Sequence, residues 1–215
     1  MMRTLNTTLA WVAEGTALCR AAIEGLDETS LGAPSLLPGW TRGHVVAHLA
    51  GNAEAIGNLV HWARTGEPTP MYGSPRERDA AIEAGARLPA DRLVTWFDES
   101  AGALDDAMAR LTEEQWQAEV TTAQGRTVPT GETPWMRGRE VLVHAVDLGT
   151  GLGFADLPEA FLAELRDDVL AKRGRANVPV VHGDPAEVTA YLAGRPHAGV
   201  TTADGSLAGP LPPWL

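Results

Sequence analysis

The amino-acid sequence predicts an α+β protein that begins with a four-helix bundle and ends in a small α+β domain. Long segments of the first part carry apolar residues at helical spacing, and two of them open with helix-start signals. The composition changes after Gly149, Gly151 and Gly153, where short apolar runs alternate with glycine and proline. We therefore expect a helical bundle over residues 1–153 and a small α+β domain over residues 154–215.

The composition is that of an ordinary globular protein. Of the 215 residues, 44% are hydrophobic and 21% are charged, and the formal net charge is −11. A chain this acidic is a poor partner for nucleic acid or for an anionic membrane, since both attract basic proteins. No segment approaches the roughly 20 apolar residues of a membrane span, and the N-terminus lacks the features of a signal peptide. We therefore expect a cytoplasmic protein, either a monomer or a small homo-oligomer.

The single cysteine, Cys19, lies on an apolar stripe of the first predicted helix. A free cysteine in such a setting packs like a small hydrophobic residue. We therefore interpret Cys19 as part of the core, and any thiol chemistry would need a thiol from outside the chain. The stripe repeats at steps of four and three residues, through Leu5, Leu9, Val12, Thr16, Cys19, Ile23 and Leu26.

The first half of the bundle follows from these periodic patterns and from capping residues. The apolar stripe predicts a first helix over residues 4–26. Thr41 is the expected N-cap of a second helix that runs to about Thr65. Residues 66–74 are rich in glycine and proline, which indicates a loop.

The second half of the bundle begins with a short polar helix that starts at Pro75. Asp91 is the expected cap of a longer helix that follows it. Residues 120–132 are typical of extended chain or a hairpin. Thr133 as cap and Pro134 as first helical residue then predict a strong helix to about residue 148. In the predicted C-terminal domain, one more helix is expected over residues 158–173.

Four polar residues form one stripe on the helix that begins near Pro134. They are spaced by three, four and three residues: Arg137, Glu140, His144 and Asp147. Such a stripe is either the exposed face of the helix, with an Arg137–Glu140 pair and a His144–Asp147 pair, or a functional line inside the bundle. A glutamate and a histidine four residues apart can bind one metal ion from a single helix face.

The second helix offers a partner for that pair. His48 is followed by leucine, alanine and glycine, a setting in which a histidine is either a core residue with one hydrogen bond or a ligand. Together with Glu140 and His144 it would give two imidazoles and one carboxylate, a set that suits zinc and leaves one coordination position open. No such pattern surrounds three other histidines: His61, His182 and His197.

At these residues the sequence resembles a known family. LPGWTRGHVVAHLAGNAEA, followed by MRGREVLVHAVDLG, is similar to the mycothiol-dependent maleylpyruvate isomerases, which belong to the DinB-like metal-binding four-helix bundles. YLAGR and PLPPWL resemble the small second domain of that family. The resemblance implies that the metal ligands are His48, Glu140 and His144. It also implies a catalytic arginine in the C-terminal domain, for which Arg195 is the match.

The resemblance also implies a reaction. Mycothiol is a sugar-linked cysteine thiol, and its thiol would lose a proton beside zinc. The thiolate adds to the cis double bond of maleylpyruvate, the resulting single bond rotates, and the thiolate leaves to give fumarylpyruvate, a step in aromatic catabolism. The expected cofactors are thus zinc or another divalent metal, and mycothiol. The expected partners are mycothiol and a small anionic substrate.

Two other functions are compatible with the same residues. The protein could be a mycothiol S-transferase, which joins the thiol to another electrophile and releases the conjugate. It could also be a non-catalytic binding protein that a metal stabilises. Metal content together with thiol-dependent turnover of maleylpyruvate and of a generic electrophile would separate the three.

Overall fold

The structure is a computed structural model, and it describes residues 3–212 and residue 214. The chain forms two compact units: one contains Thr4–Thr150, and the other contains the described residues from Gly151 onward together with Arg3. The predicted α+β fold class, with a helical N-terminal part and a small C-terminal part, is confirmed. The proposed division into two domains at residue 153 stays a prediction. Two residues of the PLPPWL segment, 213 and 215, lie outside the described residues.

The first unit is built from helices and one hairpin. Its helices are α1 (Leu5–Ile23), α2 (Glu28–Gly32), α3 (Arg42–Thr65), α4 (Pro75–Gly85), α5 (Ala90–Ala109), α6 (Glu113–Gln117) and α7 (Thr133–Asp147). The four long ones form the bundle: α1 packs mainly on α7, and α3 packs on both α5 and α7. The candidate metal ligands lie on α3 and α7, two helices that are neighbours in the bundle.

Both ends of α3 follow from local sequence. The Thr41 side chain accepts a hydrogen bond from the backbone N–H of His44, and the His44 ring accepts one from the backbone N–H of Thr41. This capping box satisfies donors that a helix start leaves without partners. The helix ends at Gly66, whose φ of 77° is accessible to glycine at little cost. The predicted cap at Thr41 and the predicted end at Thr65 are thereby confirmed.

Three predicted helix boundaries are wrong. The first helix ends at Ile23 rather than at residue 26, because the chain turns at Gly25, where φ is 75°. Asp91 is not a cap, because α5 already begins at Ala90. Asp91 lies in the first turn of α5, where its negative charge interacts favourably with the helix dipole.

The third wrong boundary is the start of α7. Thr133 is its first residue rather than its cap, and the Thr133 hydroxyl donates to the carbonyl of Thr130. A short 3₁₀ turn over Thr130–Glu132 leads directly into the helix, so no side-chain cap is needed there. The short helix α2, which the periodicity did not predict, is capped by Asp27.

The segment predicted as extended chain or a hairpin is a hairpin. Strand β1 (Glu119–Thr121) pairs antiparallel with β2 (Thr127–Pro129), and Val120 lies opposite Val128. Both valines are buried in a cluster with apolar residues of α3 and α5. The hairpin therefore covers the C-terminal half of α3, away from His48.

The contact between α1 and α7 is close and apolar. Cys19 is fully buried, and its thiol donates to the backbone carbonyl of Val141. One turn earlier, Gly15 faces the side chains of Val141 and Leu142 so closely that a Cβ atom there would overlap them. The interpretation of Cys19 as a core residue is confirmed by its burial.

The second unit is small. It contains α8 (Glu159–Arg173), α9 (Pro185–Leu192) and the two-residue antiparallel strands β3 (Val181–His182) and β4 (Thr201–Thr202). Helix α8 packs against α9, and the core between them includes Phe161, Leu165 and Tyr191. Among the described residues, none of the helices combines the length and the apolar character that crossing a bilayer requires.

The close approach of α1 to α7 predicts a large effect of Gly15→Ala. The added methyl overlaps Val141 and Leu142, and such overpacking costs about 1–3 kcal/mol. The control is Gly102→Ala on α5, where nothing lies within 4 Å of the added carbon, so helix propensity should raise stability by up to about 1 kcal/mol. Urea unfolding measures both changes. Equal midpoints for the two variants would contradict the close contact.

Candidate metal centre

Helix α3 brings His48 into the interior of the bundle. The side chain lies one turn after the capping residue His44 and is only 5% exposed. The neighbours on the same helix are small or apolar, as the sequence indicated. The ring of Trp40 packs beside it, with 5.6 Å between the ring centroids. This packing limits the orientations that the imidazole can adopt.

Helix α7 brings four polar residues to the same region. Arg137, His144 and Asp147 are buried, and the side chain of Glu140 is 17% exposed. The alternative in which this stripe is an exposed face is therefore wrong. Burial of so many ionisable groups is costly unless each finds a partner, so their contacts determine what the site can do.

His48, Glu140 and His144 converge on one point. The Nε2 atom of His48 lies 2.9 Å from Oε2 of Glu140, and Nε2 of His144 lies 3.3 Å from the same oxygen. One ligand atom from each of the three residues lies within 4.8 Å of the other two. The structure thus brings together the three residues that the sequence predicted as ligands, while their role as ligands stays a prediction.

Asp147 orients His144 from the other side. Its Oδ2 lies 2.8 Å from Nδ1 of His144, so the ring directs Nε2 toward Glu140. Burial alone would lower the pKa of His144, but its contacts with Asp147 and Glu140 outweigh burial and raise the pKa to about 9. Without a metal ion, the ring is therefore protonated at neutral pH and lies between two carboxylates.

Burial acts in opposite directions on the pKa values of the other two residues of the triad. Burial would raise the pKa of Glu140, but hydrogen bonds from His144 and His48 hold it well below its usual range, so the carboxylate is ionised. Burial lowers the pKa of His48, against the opposing effect of Glu140, and this imidazole is neutral. The triad thus has one carboxylate, one neutral imidazole and one imidazolium, which would have to lose its extra proton to bind a metal ion.

Arg78 on α4 determines which nitrogen of His48 carries its proton. Its Nη2 lies 3.3 Å from Nδ1 of His48, and a guanidinium can only donate. His48 therefore accepts at Nδ1 and carries its proton on Nε2, facing Glu140. Binding of a metal ion at Nε2 requires this proton to leave or to move to Nδ1. Sequence analysis missed Arg78, because it lies in a short polar helix with no distinguishing motif.

The donor set fits a zinc ion. Two imidazole nitrogens and a carboxylate oxygen are typical of zinc sites that keep one position for a further ligand. His44 cannot supply a fourth ligand in this conformation, because its Nδ1 contacts the Thr41 hydroxyl at 2.7 Å and its Nε2 faces Glu83. The second ring nitrogen of His144 has the carboxylate partner that zinc-bound histidines usually have.

Arg137 links α7 to α3, the two helices that carry the candidate ligands. Its Nη1 donates to the backbone carbonyl of Leu49 at 2.7 Å and to the side chain of Asn52 at 2.8 Å, both on α3. Burial lowers its pKa to about 10, so the guanidinium stays charged at neutral pH. This cation joins α7 to α3 within one turn of His48 and acts electrostatically on Glu140.

The remaining candidates lie elsewhere. Burial raises the pKa of the Cys19 thiol to about 12, so Cys19 is not a nucleophile at neutral pH. Arg195 follows α9 in the second unit, is 5% exposed, and donates from Nη1 to the carbonyl of Ala193. Three other histidines lie outside the triad: His61, His182 and His197.

Comparison with known proteins gives a consistent picture. The family model of the mycothiol maleylpyruvate isomerase N-terminal domain matches residues 12–149. A crystal structure of the mycothiol-dependent maleylpyruvate isomerase is 39% identical, with a TM-score of 0.90, and the match covers 99% of this chain and 98% of that one. A histidine-to-alanine mutant of that enzyme matches at 38% identity with the same TM-score and coverage. No curated protein sequence matches the chain.

Removal of any triad residue is predicted to abolish metal binding. Purified protein should carry about one zinc ion per chain, and His48→Ala, Glu140→Ala and His144→Ala should each lose most of it, because two ligands hold zinc poorly. Metal content after dialysis, measured by mass spectrometry, checks this. His61→Ala is the matched control and should keep its metal. Full occupancy in all three triad variants would show that the metal site lies elsewhere.

Zinc binding is also predicted to release a proton and to strengthen with pH. His144 is protonated below about pH 9, and zinc needs the neutral ring, so affinity should rise about tenfold per pH unit between roughly pH 7 and 9. An unperturbed histidine would stop contributing near pH 6.5, its ordinary pKa. Calorimetry in buffers of different ionisation enthalpy counts the protons. A constant affinity across this range would contradict the raised pKa of His144.

Proposed function

Because the chain belongs to the mycothiol maleylpyruvate isomerase family, we propose that it is a mycothiol-dependent, zinc-binding cis–trans isomerase that converts maleylpyruvate to fumarylpyruvate. One observation carries the proposal: His48, Glu140 and His144 converge inside the bundle of a chain that is similar to that enzyme over almost its whole length. A reduced thiol cosubstrate also supports the cytoplasm as the compartment, because thiols persist there.

His48, Glu140 and His144 would hold the metal ion. When bound, zinc would act as a Lewis acid that lowers the pKa of a thiol, so that a thiolate is present at neutral pH. Three protein ligands leave a position at which a thiol can bind and from which it can leave. Asp147 keeps the His144 ring in the orientation that ligation needs, since it receives the proton on Nδ1.

The chemistry that we propose needs no nucleophile from the chain. The thiolate of mycothiol adds to the cis double bond of the substrate, the new single bond rotates, and elimination of the same thiolate gives the trans product. The thiol is regenerated in each cycle. Cys19 takes no part, because it is fully buried against α7 and its thiol stays protonated.

We further propose that Arg195 binds a carboxylate of the substrate. Maleylpyruvate is a dianion, and a protein with a net charge of −11 needs local cations to receive it. The support for Arg195 is the likeness of the YLAGR segment to the family, together with its burial, which favours strong hydrogen bonds to an anion.

Thiol stoichiometry tests the proposed reaction. Zinc-loaded protein should convert maleylpyruvate completely with far less than one equivalent of mycothiol, because an isomerase regenerates its thiol. Chromatography of substrate, product and thiol conjugates measures this. Cys19→Ala should stay active, and His144→Ala should not. Consumption of one thiol per turnover would favour the S-transferase, and a metal-loaded protein without any turnover would favour a non-catalytic protein.

Arg195→Ala is predicted to impair turnover and to leave metal binding intact. Loss of one charged hydrogen bond to the substrate costs about 1.5–3 kcal/mol, which lowers kcat/KM at least about tenfold. Steady-state kinetics, metal content and circular dichroism check this. Arg175→Ala is the matched control, since Arg175 is exposed and pairs with Asp167 in the same unit. Equal kinetics for the two variants would remove Arg195 from the site.

A further inference from the structure

A groove runs along α3 from His48, one of the three candidate metal ligands. Its α3 wall begins at Ala47 and His48 and continues through Gly51, Asn52 and Ala55 to Asn58. At a rise of 1.5 Å per residue, the ten residue steps from His48 to Asn58 span about 15 Å. The groove has a volume of about 180 Å³. It is therefore long and narrow, with His48 in its wall at one end.

The opposite wall combines aromatic and polar groups. Tyr72 contributes from the loop before α4, and Trp96 contributes from α5. The Trp96 ring lies directly against Gly85, where a Cβ atom would come within 2.6 Å of it. Its indole N–H donates to the Glu54 carboxylate at 2.7 Å, which holds both side chains in place. The groove thus has a flat apolar surface with hydrogen-bonding groups beside it.

The charges in the groove disfavour an anionic ligand. Two carboxylates, Glu54 and Glu77, line it against one guanidinium, that of Arg78. Arg78 lies beside His48 and its Nη1 already pairs with Asp79 at 3.0 Å. A dianion in the groove would meet more negative than positive charge. A neutral ligand with several hydroxyl groups would instead find carboxylate and amide acceptors together with an aromatic face.

We propose that this groove binds the neutral, hydroxyl-bearing part of the thiol cosubstrate, with the sulfur directed toward His48. The inference rests on the proposed function, because that function requires a thiol near the triad. The volume of the groove is below the roughly 300–1,000 Å³ of pockets that enclose whole drug-sized ligands. It therefore holds one ring and its substituents, and the remainder of the cosubstrate stays outside. The carboxylate substrate binds elsewhere.

Direct binding tests the groove without turnover. The probe is the mycothiol analogue with serine in place of cysteine, titrated into zinc-loaded protein by calorimetry. Glu54→Leu, at an exposed position, and Trp96→Leu should each raise its Kd at least about tenfold, because each removes a major contact. Glu114→Leu, an exposed glutamate of α6 outside the groove, should bind as the wild type does. Thermal unfolding verifies that Trp96→Leu is folded.

Kinetics give a second readout. In Glu54→Leu the KM for mycothiol should rise at least about tenfold more than the KM for maleylpyruvate, a difference that a merely structural defect would not produce. The inference is overturned if both groove variants bind the analogue with the wild-type Kd, if the wild type does not bind it, or if maleate competes with it and binds more tightly to Glu54→Leu. Wild-type protein that binds the analogue in the groove but does not isomerise maleylpyruvate would refute only the proposed function.

Discussion

The contact between His48 and Glu140 is the interaction on which the rest of the site depends. It joins two helices at a buried point, and it is possible only because other groups offset the cost of burying a carboxylate there. His144 donates to the same oxygen, and Asp147 supports His144 in turn. Removal of one member would take a partner from a charged group in a largely buried setting, so these residues form one unit rather than a set of separate candidate ligands.

Arg137 shows how the bundle supports this arrangement. A buried guanidinium is costly, and among the described residues it contacts a backbone carbonyl and an amide of α3 rather than forming a direct ion pair. Its charge instead acts on Glu140 through space. A cation that does not touch the candidate ligand atoms therefore helps to join the two helices that carry them. On the other face of α7, Gly15 permits the close approach of α1, so the helix is held from both sides.

The sequence predicted the bundle well, because the features that define it are local. Periodic apolar residues predict the helices, and Thr41, the expected N-cap, precedes the first residue of α3. Helix ends were less predictable: Thr133 has the identity of a cap, but a preceding 3₁₀ turn makes it a helical residue. This turn depends on contacts with residues that are distant in sequence, such as the carbonyl of Ala118, which accepts from Thr130.

The triad was predictable because two of its members share one helix face and the third has an unusual apolar setting. Spacing alone left open whether the α7 stripe faced solvent, and only tertiary packing decided it. The positions of Arg78 and of the groove could not be predicted from the sequence, since they depend on how α4 and α5 pack against α3. An arginine in a short polar helix, here one of two, carries no signal of such a position.

His48 belongs to both the triad and the wall of the groove, whereas the other groove residues do not contribute to the triad. Under the proposed roles, the metal site and the cosubstrate groove therefore share only His48. If the groove binds the cosubstrate as proposed, substitutions at Glu54, Asn58 or Trp96 would change which molecule is accepted and would leave the triad the same. A scaffold of this kind would be able to diversify by exchange of cosubstrates, without the need to rebuild the proposed metal site.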